Sequence, residues 1–260
     1  MRKNLVISVV GDNSVHRSWL EPAHPRSFDL CLVYYGDVSQ RFAGDAEIYI
    51  ERKGIKFNLI YELAKRELAD ILFRYEHVWM PDDDIAADMD RVNRLFLLAE
   101  EHHLSICQPA IGSGDVTFRT LRAHPGYILR YSRFVEIMCP LFSRAALQQV
   151  LSTFNANRSA WGVDWLWASH FGPKDLAVID AVPMDHTRPL RSGGVHARFA
   201  AEGINPMREH KDLEAEYGLH VRRRHRRTVR GTARLRGLRA DGDEVWTQSL
   251  WRTMWPRKAA

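Results

Sequence analysis

The sequence predicts an α/β protein, a mainly parallel sheet flanked by helices and followed by a basic tail that is helical or partly disordered. Three observations carry that expectation. Short β-branched or aromatic apolar runs alternate with longer segments of helical period through the first half of the chain. The 260 residues, 45% hydrophobic and 27% charged, can bury one large core, and this composition excludes collagen-like, coiled-coil and disordered proteins. Charge is also unevenly divided. The formal net charge is +5, yet Val221 to Arg239 holds nine arginines and no acidic residue, which leaves −4 on the rest. An acidic body with a basic tail differs from a uniformly basic nucleic-acid binder.

Leu5 to Val10 follows two basic residues but lacks a small-residue cleavage site, and Gly11-Asp12-Asn13-Ser14 after it is loop chemistry. It reads as a buried first strand and not as a signal peptide. Leu30 to Tyr35, Ile48 to Ile50, His77 to Met80 and Leu104 to Cys107 read as further strands. Phe57 to Phe73 reads as a helix with Leu59, Ile60, Leu63, Leu68, Ile71 and Leu72 on its apolar face. Asp88 to His102 reads as a second helix, with Asp88 and Asp90 at the positive end of its dipole. Gly112 to Arg130 has no clear period and is long enough for a loop over a site.

Phe134 to Phe142 reads as a strand, Arg144 to Phe154 and Gly162 to His170 as helices, and Ala177 to Ala181 as a strand. After Pro189 the character changes. Arg191-Ser-Gly-Gly-Val has loop composition, Ala200 to Leu219 suits a polar helix, and the arginine run follows. The expected division is a body over residues 1–190 and a loop, helix and Arg/Trp-rich tail over 191–260. Cys31, Cys107 and Cys139 each sit in an apolar run, fit no CxxC zinc site and read as reduced core residues of a cytosolic protein. No stretch reaches the roughly 18 to 20 apolar residues that span a bilayer.

The most informative motif is Val78-Trp-Met-Pro-Asp82-Asp83-Asp84-Ile85. Adjacent carboxylates raise one another's pKa unless a cation compensates. Carboxylate oxygens at the carboxyl end of a strand suit Mn²⁺ or Mg²⁺, and that edge of an α/β sheet is where ligands bind. The plain alternative is a solvated acidic turn ahead of the Asp88 helix. Two further segments favour a site. In Ala160-Trp-Gly-Val-Asp164-Trp-Leu-Trp, a carboxyl set among tryptophans is expected to be desolvated and suited to general-base work. Met184-Asp185-His186-Thr187-Arg188 ends a strand in a histidine.

In this order the pieces resemble nucleotide-sugar glycosyltransferases of the GT-A (Rossmann-like) fold. Val9-Val-Gly11-Asp12, Pro81-Asp-Asp-Asp84, Trp161-Gly-Val-Asp164 and Asp185-His186 match the nucleotide loop, DxD motif, acceptor-facing acid and metal-site histidine of that family. More narrowly, Trp79-Met-Pro-Asp-Asp-Asp-Ile, Ser105-Ile-Cys-Gln108-Pro-Ala, Phe134-Val-Glu136-Ile-Met-Cys-Pro and Trp161-Gly-Val-Asp look like the DUF707 group. The resemblance covers residues 3 to 190 and implies a catalytic body. It implies Asp84 and His186 as metal ligands, with Asp82 on the ribose or a metal-bound water. Asp83 would be a further donor contact beside Gly11 and Asp12. Asp164 would deprotonate the acceptor hydroxyl in an inverting transfer.

The remaining candidates stand on chemistry. Glu136 interrupts an apolar run, so it either meets a cation such as Arg133 or Arg119 or contacts a hydroxyl of sugar or acceptor. Lys53 and Lys56, flanking Gly54, are candidate diphosphate contacts. The expected partners are a UDP- or GDP-linked sugar donor and a glycan or lipid-linked acceptor. The tail arginines with Trp246, Leu250 and Met254, spaced on one helical side, read first as a solvated or acid-neutralising tail that packs its tryptophans on the body, and otherwise suit a peripheral contact with anionic membrane at its inner face more than nucleic acid. Two rival functions use the same residues. A metal-dependent phosphoesterase or nucleotidyltransferase would hold cations in the acidic loop, and a non-catalytic binding protein would act through the tail.

Overall fold

The strand β1, Asn4–Val10, is buried along its whole length because its side chains are apolar on both faces. Leu5, Ile7 and Val9 point to one layer of the core, Val6 and Val10 to the other. The computed structural model of the chain describes residues 1–22, 25–190, 192, 194–219, 227–230 and 233–247. β1 pairs in parallel with β2 (Phe28–Tyr34) and with β4 (His77–Trp79), and β2 pairs in parallel with β3 (Ile48–Glu51). Between β3 and β4 runs helix α1 (Lys56–Ala64); the two-residue β5 (Ile85–Ala86) and helix α2 (Met89–Glu101) follow β4. Asp88 caps α2 by accepting from Arg91 N.

The second half supplies β6 (Ile106–Ser113), β7 (Tyr127–Tyr131), β8 (Leu141–Ser143), helices α3 (Arg144–Val150) and α4 (Val163–His170), and the long strand β9 (Leu176–His186). Helices α5 (Gly194–Ala201) and α6 (Pro206–Glu216) precede a hairpin of β10 (Arg236–Arg239) and β11 (Glu244–Trp246). One sheet joins all of these strands in the order β3-β2-β1-β4-β8-β6-β9-β7-β10-β11, with β5 against β9. Helices α1, α3 and α4 cover one face, and α2 with the turn at His16–Leu20 covers the other.

The sheet is mixed, where a mainly parallel one was expected. Only β3-β2-β1-β4 and β6-β9 are parallel. β8 enters between β4 and β6 antiparallel to both, and β7, β10, β11 and β5 are all antiparallel to their neighbours. The expected strand over Phe134 to Phe142 shrinks to β8 because side chains and loop amides, not a neighbouring strand, satisfy its earlier backbone. Glu136 N donates to Gln108 Oε1, Trp79 Nε1 donates to Cys139 O, and Asp82 N donates to Met138 O. The expected helix over Phe57 to Phe73 ends at Ala64, yet Leu68 and Leu72 stay buried in the turns beyond it. Gly112 to Arg130, expected as a loop, instead carries the end of β6 and most of β7.

The polar helix expected over Ala200 to Leu219 is split. Asn205 caps α6 with Pro206 as its first residue, so a new helix starts there. Part of the tail is strand, since β10 adds to the edge at β7. Trp246, expected on a helical side, ends β11, while Arg222, Arg223, Arg224, Arg226, Leu250 and Met254 lie outside the described residues. All three cysteines are buried thiols. Among the described residues no helix is long and apolar enough to cross a membrane.

A buried ion pair ties the segment 119–124 to this sheet. Arg130 Nε and Nη2 donate to Asp180 at 2.7 and 2.9 Å, and the guanidinium also reaches Thr120 O and Arg122 O. Both side chains are 1% exposed, and burial outweighs the guanidinium to push the Asp180 carboxyl above its ordinary value. Asp180→Ala strands a buried guanidinium and is expected to cost about 3–5 kcal/mol, read as a lowered urea midpoint at unchanged m-value.

Candidate functional site

The chain order reverses on either side of β1, with β2 on one flank and β4 on the other. The cleft beyond the carboxyl ends of β1 and β4 is therefore the switch point where open α/β sheets bind ligands. Two loops meet there. Gly11 N donates to Asp83 Oδ2 at 2.8 Å, Val15 N to Asp83 O at 2.9 Å, and Ser8 Oγ to Pro81 O at 2.9 Å. Gly11 is required by close approach, since a Cβ there would lie 2.5 Å from Tyr35 Oη. Asp12 accepts from Tyr34 Oη and lies 3.6 Å from Arg41 Nε.

Each of the three adjacent carboxylates has its own basic partner. Lys56 Nζ donates to Asp82 Oδ1 at 2.5 Å and also to Ile137 O and Met138 O at 2.6 and 3.0 Å. Arg188 Nη2 donates to Asp83 Oδ1 at 2.8 Å. His186 Nε2 stands 3.4 Å from Asp84 Oδ2. These cations come from the start of α1, the end of β9 and the turn after it. The electrostatic problem posed by the sequence is thus partly solved inside the chain.

The three acids are not equivalent. Asp82 keeps 44% of its side chain exposed. Desolvation there and the nearby Asp84 and Asp83 push it up to about 6, with Lys56 opposing. For Asp84, burial acts upward, but His186, Arg188 and Lys56 together hold the carboxyl below its ordinary range. The backbone fixes this residue: Thr187 N and Oγ1 both bond Asp84 O at 2.9 Å. Asp84 Oδ1 is nevertheless buried with no hydrogen-bond partner. His186 Nδ1 lies 2.9 Å from Asp115 O, which makes Nδ1 the protonated nitrogen and leaves Nε2 facing Asp84 when the ring is neutral.

Asp82, Asp84 and His186 are not gathered as one ligand set. Among the described residues no group of three or more His, Cys, Asp or Glu takes metal-holding geometry. Asp84 with His186 does suit a hard divalent cation, because an unpartnered buried carboxylate oxygen beside an imidazole nitrogen is an incomplete coordination shell. Such ions commonly take one or two protein ligands and fill the remainder with phosphate and water.

Glu136 and Asp164 form a second, drier part of the site. Both are buried, at 7% and 5% exposure. Glu136 Oε2 has no hydrogen-bond partner. Burial pushes Glu136 up to about 7, with Asp82 adding to the rise and Thr117, His186 and Lys56 opposing it. Burial, and then the charge on Glu136, push Asp164 well above the ordinary carboxyl range, although it accepts from Trp165 N at 3.0 Å. Glu136 is therefore the electrostatic link between the acidic loop and Asp164.

Asp164 is placed by Gly162, the N-cap of α4, whose φ of 90° few other residues adopt. A Cβ on Gly162 would also stand 3.2 Å from His210 and Leu213 of α6. Gly162→Ala is expected to cost about 1–3 kcal/mol, seen in the denaturation midpoint, with no change in nucleotide binding. Trp165 packs 5.3 Å from Phe134 and 5.7 Å from His210, while Trp167 is wholly in the core.

Lys53 stays outside this cluster, 67% exposed and bonded to Asp37. Gln108 is buried and spent on Glu136 N. Arg188, Thr117 and Asp115 carry no motif signal of their own. The one hint for Arg188 is its position two residues beyond the histidine that ends β9.

No protein-family model and no curated protein matches the chain. Among solved structures it is similar to Staphylococcus aureus TarS, at 11% identity and a TM-score of 0.49, over 86% of this chain and 44% of that one. It is also similar to TarS 1–349 in complex with UDP-GlcNAc, at 11% identity and a TM-score of 0.46, over 85% and 73% of the two chains. A Desulfovibrio desulfuricans G20 protein assigned as a nucleotide-diphospho-sugar transferase is similar at 12% identity and a TM-score of 0.43, over 84% and 99%. The chain thus spans less than half the length of full TarS.

Proposed function

We propose that the chain is a metal-dependent glycosyltransferase that moves a sugar from a nucleoside diphosphate sugar, UDP- or GDP-linked, to a glycan or lipid-linked acceptor. The observation that carries this reading is Asp84 at the switch point of the sheet, whose Oδ1 is buried without a hydrogen-bond partner while its Oδ2 lies 3.4 Å from His186 Nε2. The motif resemblance to GT-A nucleotide-sugar glycosyltransferases supports the same reading.

Asp84 and His186 would hold Mn²⁺ or Mg²⁺, which, when bound, stabilises the charge developing on the departing diphosphate. The loops at Gly11–Asp12 and Asp82–Asp83 would seat the nucleoside, with Asp82 turned toward the ribose. Asp164, in its ionised form, would accept the proton of the acceptor hydroxyl; the burial that raises its pKa makes that carboxylate a stronger base than an exposed aspartate. Glu136, with a free Oε2, takes a hydroxyl of the sugar or acceptor. Inversion would follow because the acceptor oxygen, as it loses its proton to Asp164, bonds to the anomeric carbon on the face opposite the breaking bond to the diphosphate, which leaves as the nucleoside diphosphate.

A thermal-shift screen of UDP, GDP, CDP and their sugar conjugates, each with Mn²⁺, Mg²⁺ or EDTA, tests the reading. A ligand at 100 times its Kd adds about 2.7 kcal/mol. Stabilisation by one nucleotide family, lost in EDTA, is expected. Stabilisation by none of them would send the assignment to the rival readings.

A further inference from the structure

Ser14, His16 and Asp45 form a second cluster of reactive side chains, outside the acidic loop and the Glu136–Asp164 pair. Ser14 Oγ stands 2.9 Å from His16 Nδ1, and His16 Nε2 stands 3.0 Å from Asp45 Oδ2. Arg17 Nε donates to the same Asp45 oxygen at 2.8 Å. The imidazole is fully buried, and its orientation is fixed by edge contacts with Phe42 and Trp19, whose ring centroids lie 4.6 and 6.2 Å away.

The partners fix the proton positions. Burial acts upward on Asp45, but Arg17 and His16 hold its carboxyl below the ordinary range, so it is an ionised acceptor and His16 Nε2 carries a hydrogen. Burial pushes His16 below its ordinary value, against Asp45, so the ring is neutral near pH 7. Nδ1 then offers a lone pair, and the Ser14 hydroxyl donates to it. A serine that only shaped the turn would accept from His16 N, as Ser14 does at 3.3 Å, and would need no histidine oriented by a carboxylate.

Hydroxyl, neutral imidazole and carboxylate in series are a nucleophile, its general base and the group that orients the base. Ser14 also closes an exposed turn, its N donating to Gly11 O at 3.1 Å. Among the described residues nothing accepts from the amides of Asp12 and Asn13 in that turn, which leaves two main-chain donors for a developing oxyanion.

We infer that Ser14 is an activated nucleophile, with His16 as its general base, that takes the acyl group of a carboxylic ester. Ser14 Oγ bonds to the ester carbonyl carbon while its proton passes to His16 Nδ1. The bond from that carbon to the alcohol oxygen breaks, and the alcohol leaves with the proton from Nδ1. Water then attacks the acyl-serine through the same base and releases the carboxylic acid. One ester and one water become one alcohol and one acid, with no metal or nucleotide in the balance, so this activity stands apart from the transferase reading and neither falls with the other.

Treating the full chain in EDTA with a fluorophosphonate probe, locating the label by peptide mass mapping, and following p-nitrophenyl acetate hydrolysis beside it tests the assignment. A single label on Ser14 is expected. Ser14→Ala, which keeps the main-chain bond of the turn, should lose both label and hydrolysis. Asp45→Asn, which removes the charge that orients the ring, should slow labelling about 10²–10⁴-fold. Wild type that takes no label, a label on another residue, or Asp45→Asn labelled at the wild-type rate would each overturn the relay. Label on Ser14 without ester hydrolysis would overturn the ester as its substrate.

Discussion

Asp84→Asn is expected to abolish metal-dependent stabilisation by the nucleotide while leaving the melting temperature of the free protein nearly unchanged. The fold does not need this carboxylate, because the loop is held by its backbone: Asp84 O takes both bonds from Thr187, and Asp83 O takes Val15 N. The ligand does need it. Asn keeps the shape but removes the negative charge beside His186 Nε2, and its amide can present a donor where a cation requires an acceptor. Loss of an outer partner of a metal ligand typically weakens metal binding about 10–100-fold, and loss of the ligand itself should exceed that. A hundredfold loss at a ligand concentration of 100 Kd leaves only a few tenths of a kcal/mol of the original stabilisation, which collapses the thermal shift. His186→Ala should behave alike. A shift that persists in both variants, or that EDTA does not diminish in the wild type, would remove Asp84 and His186 from any metal site.

The parallel half of the fold was legible because its signals are local. β1 and β2 are short runs apolar on both faces, and Asp88 announces α2 through its own cap. The same signals misjudged continuity. Leu68 and Leu72 do face the core as their spacing predicts, but from turns, since periodicity reports which residues are buried and not whether one helix carries them. β8 was hidden inside Phe134 to Phe142 because its apolar neighbours bond to side chains and loops. In the site, the acidic loop could be placed from sequence because three carboxylates directly after a buried strand are unusual in themselves. Their partners could not. Lys56, His186 and Arg188 lie 26, 102 and 105 residues from the carboxylates they face, and only the closing of β9 beside β5 brings the last two there. The cation that adjacent carboxylates call for is therefore partly supplied by the chain itself, and the loop's buried oxygen left without a partner is Asp84 Oδ1.

The buried carboxyls predict a trade between stability and turnover. Asp164→Asn is expected to lower the transfer rate about 10²–10⁴-fold with donor binding intact, the range for loss of a positioned base. Glu136→Gln is expected to stabilise the fold at pH 8 and to change it little at pH 4.5. The sign follows from the direction of the shift. Glu136 is pushed from its ordinary 4.5 up to about 7, so between those values the unfolded chain has lost a proton that the folded chain keeps. The unfolded state binds fewer protons, and stability falls as pH rises through that window. Above it the penalty is constant, on the order of 3–4 kcal/mol, and Gln does not carry it. Asp164 acts in the same direction, since burial and Glu136 also raise it. The groups that act on Glu136 are Asp82, which adds to the rise, and Thr117, His186 and Lys56, which limit it; none of them removes its desolvation. Urea denaturation of wild type and Glu136→Gln at pH 4.5 and 8, beside a transfer assay, separates the cases. A variant that gains midpoint only at the higher pH and loses transfer marks Glu136 as a carboxyl kept against stability for function. A variant destabilised at both pH values would instead make Glu136 a structural hydrogen-bonding residue and return its role to the packing of the segment before β8.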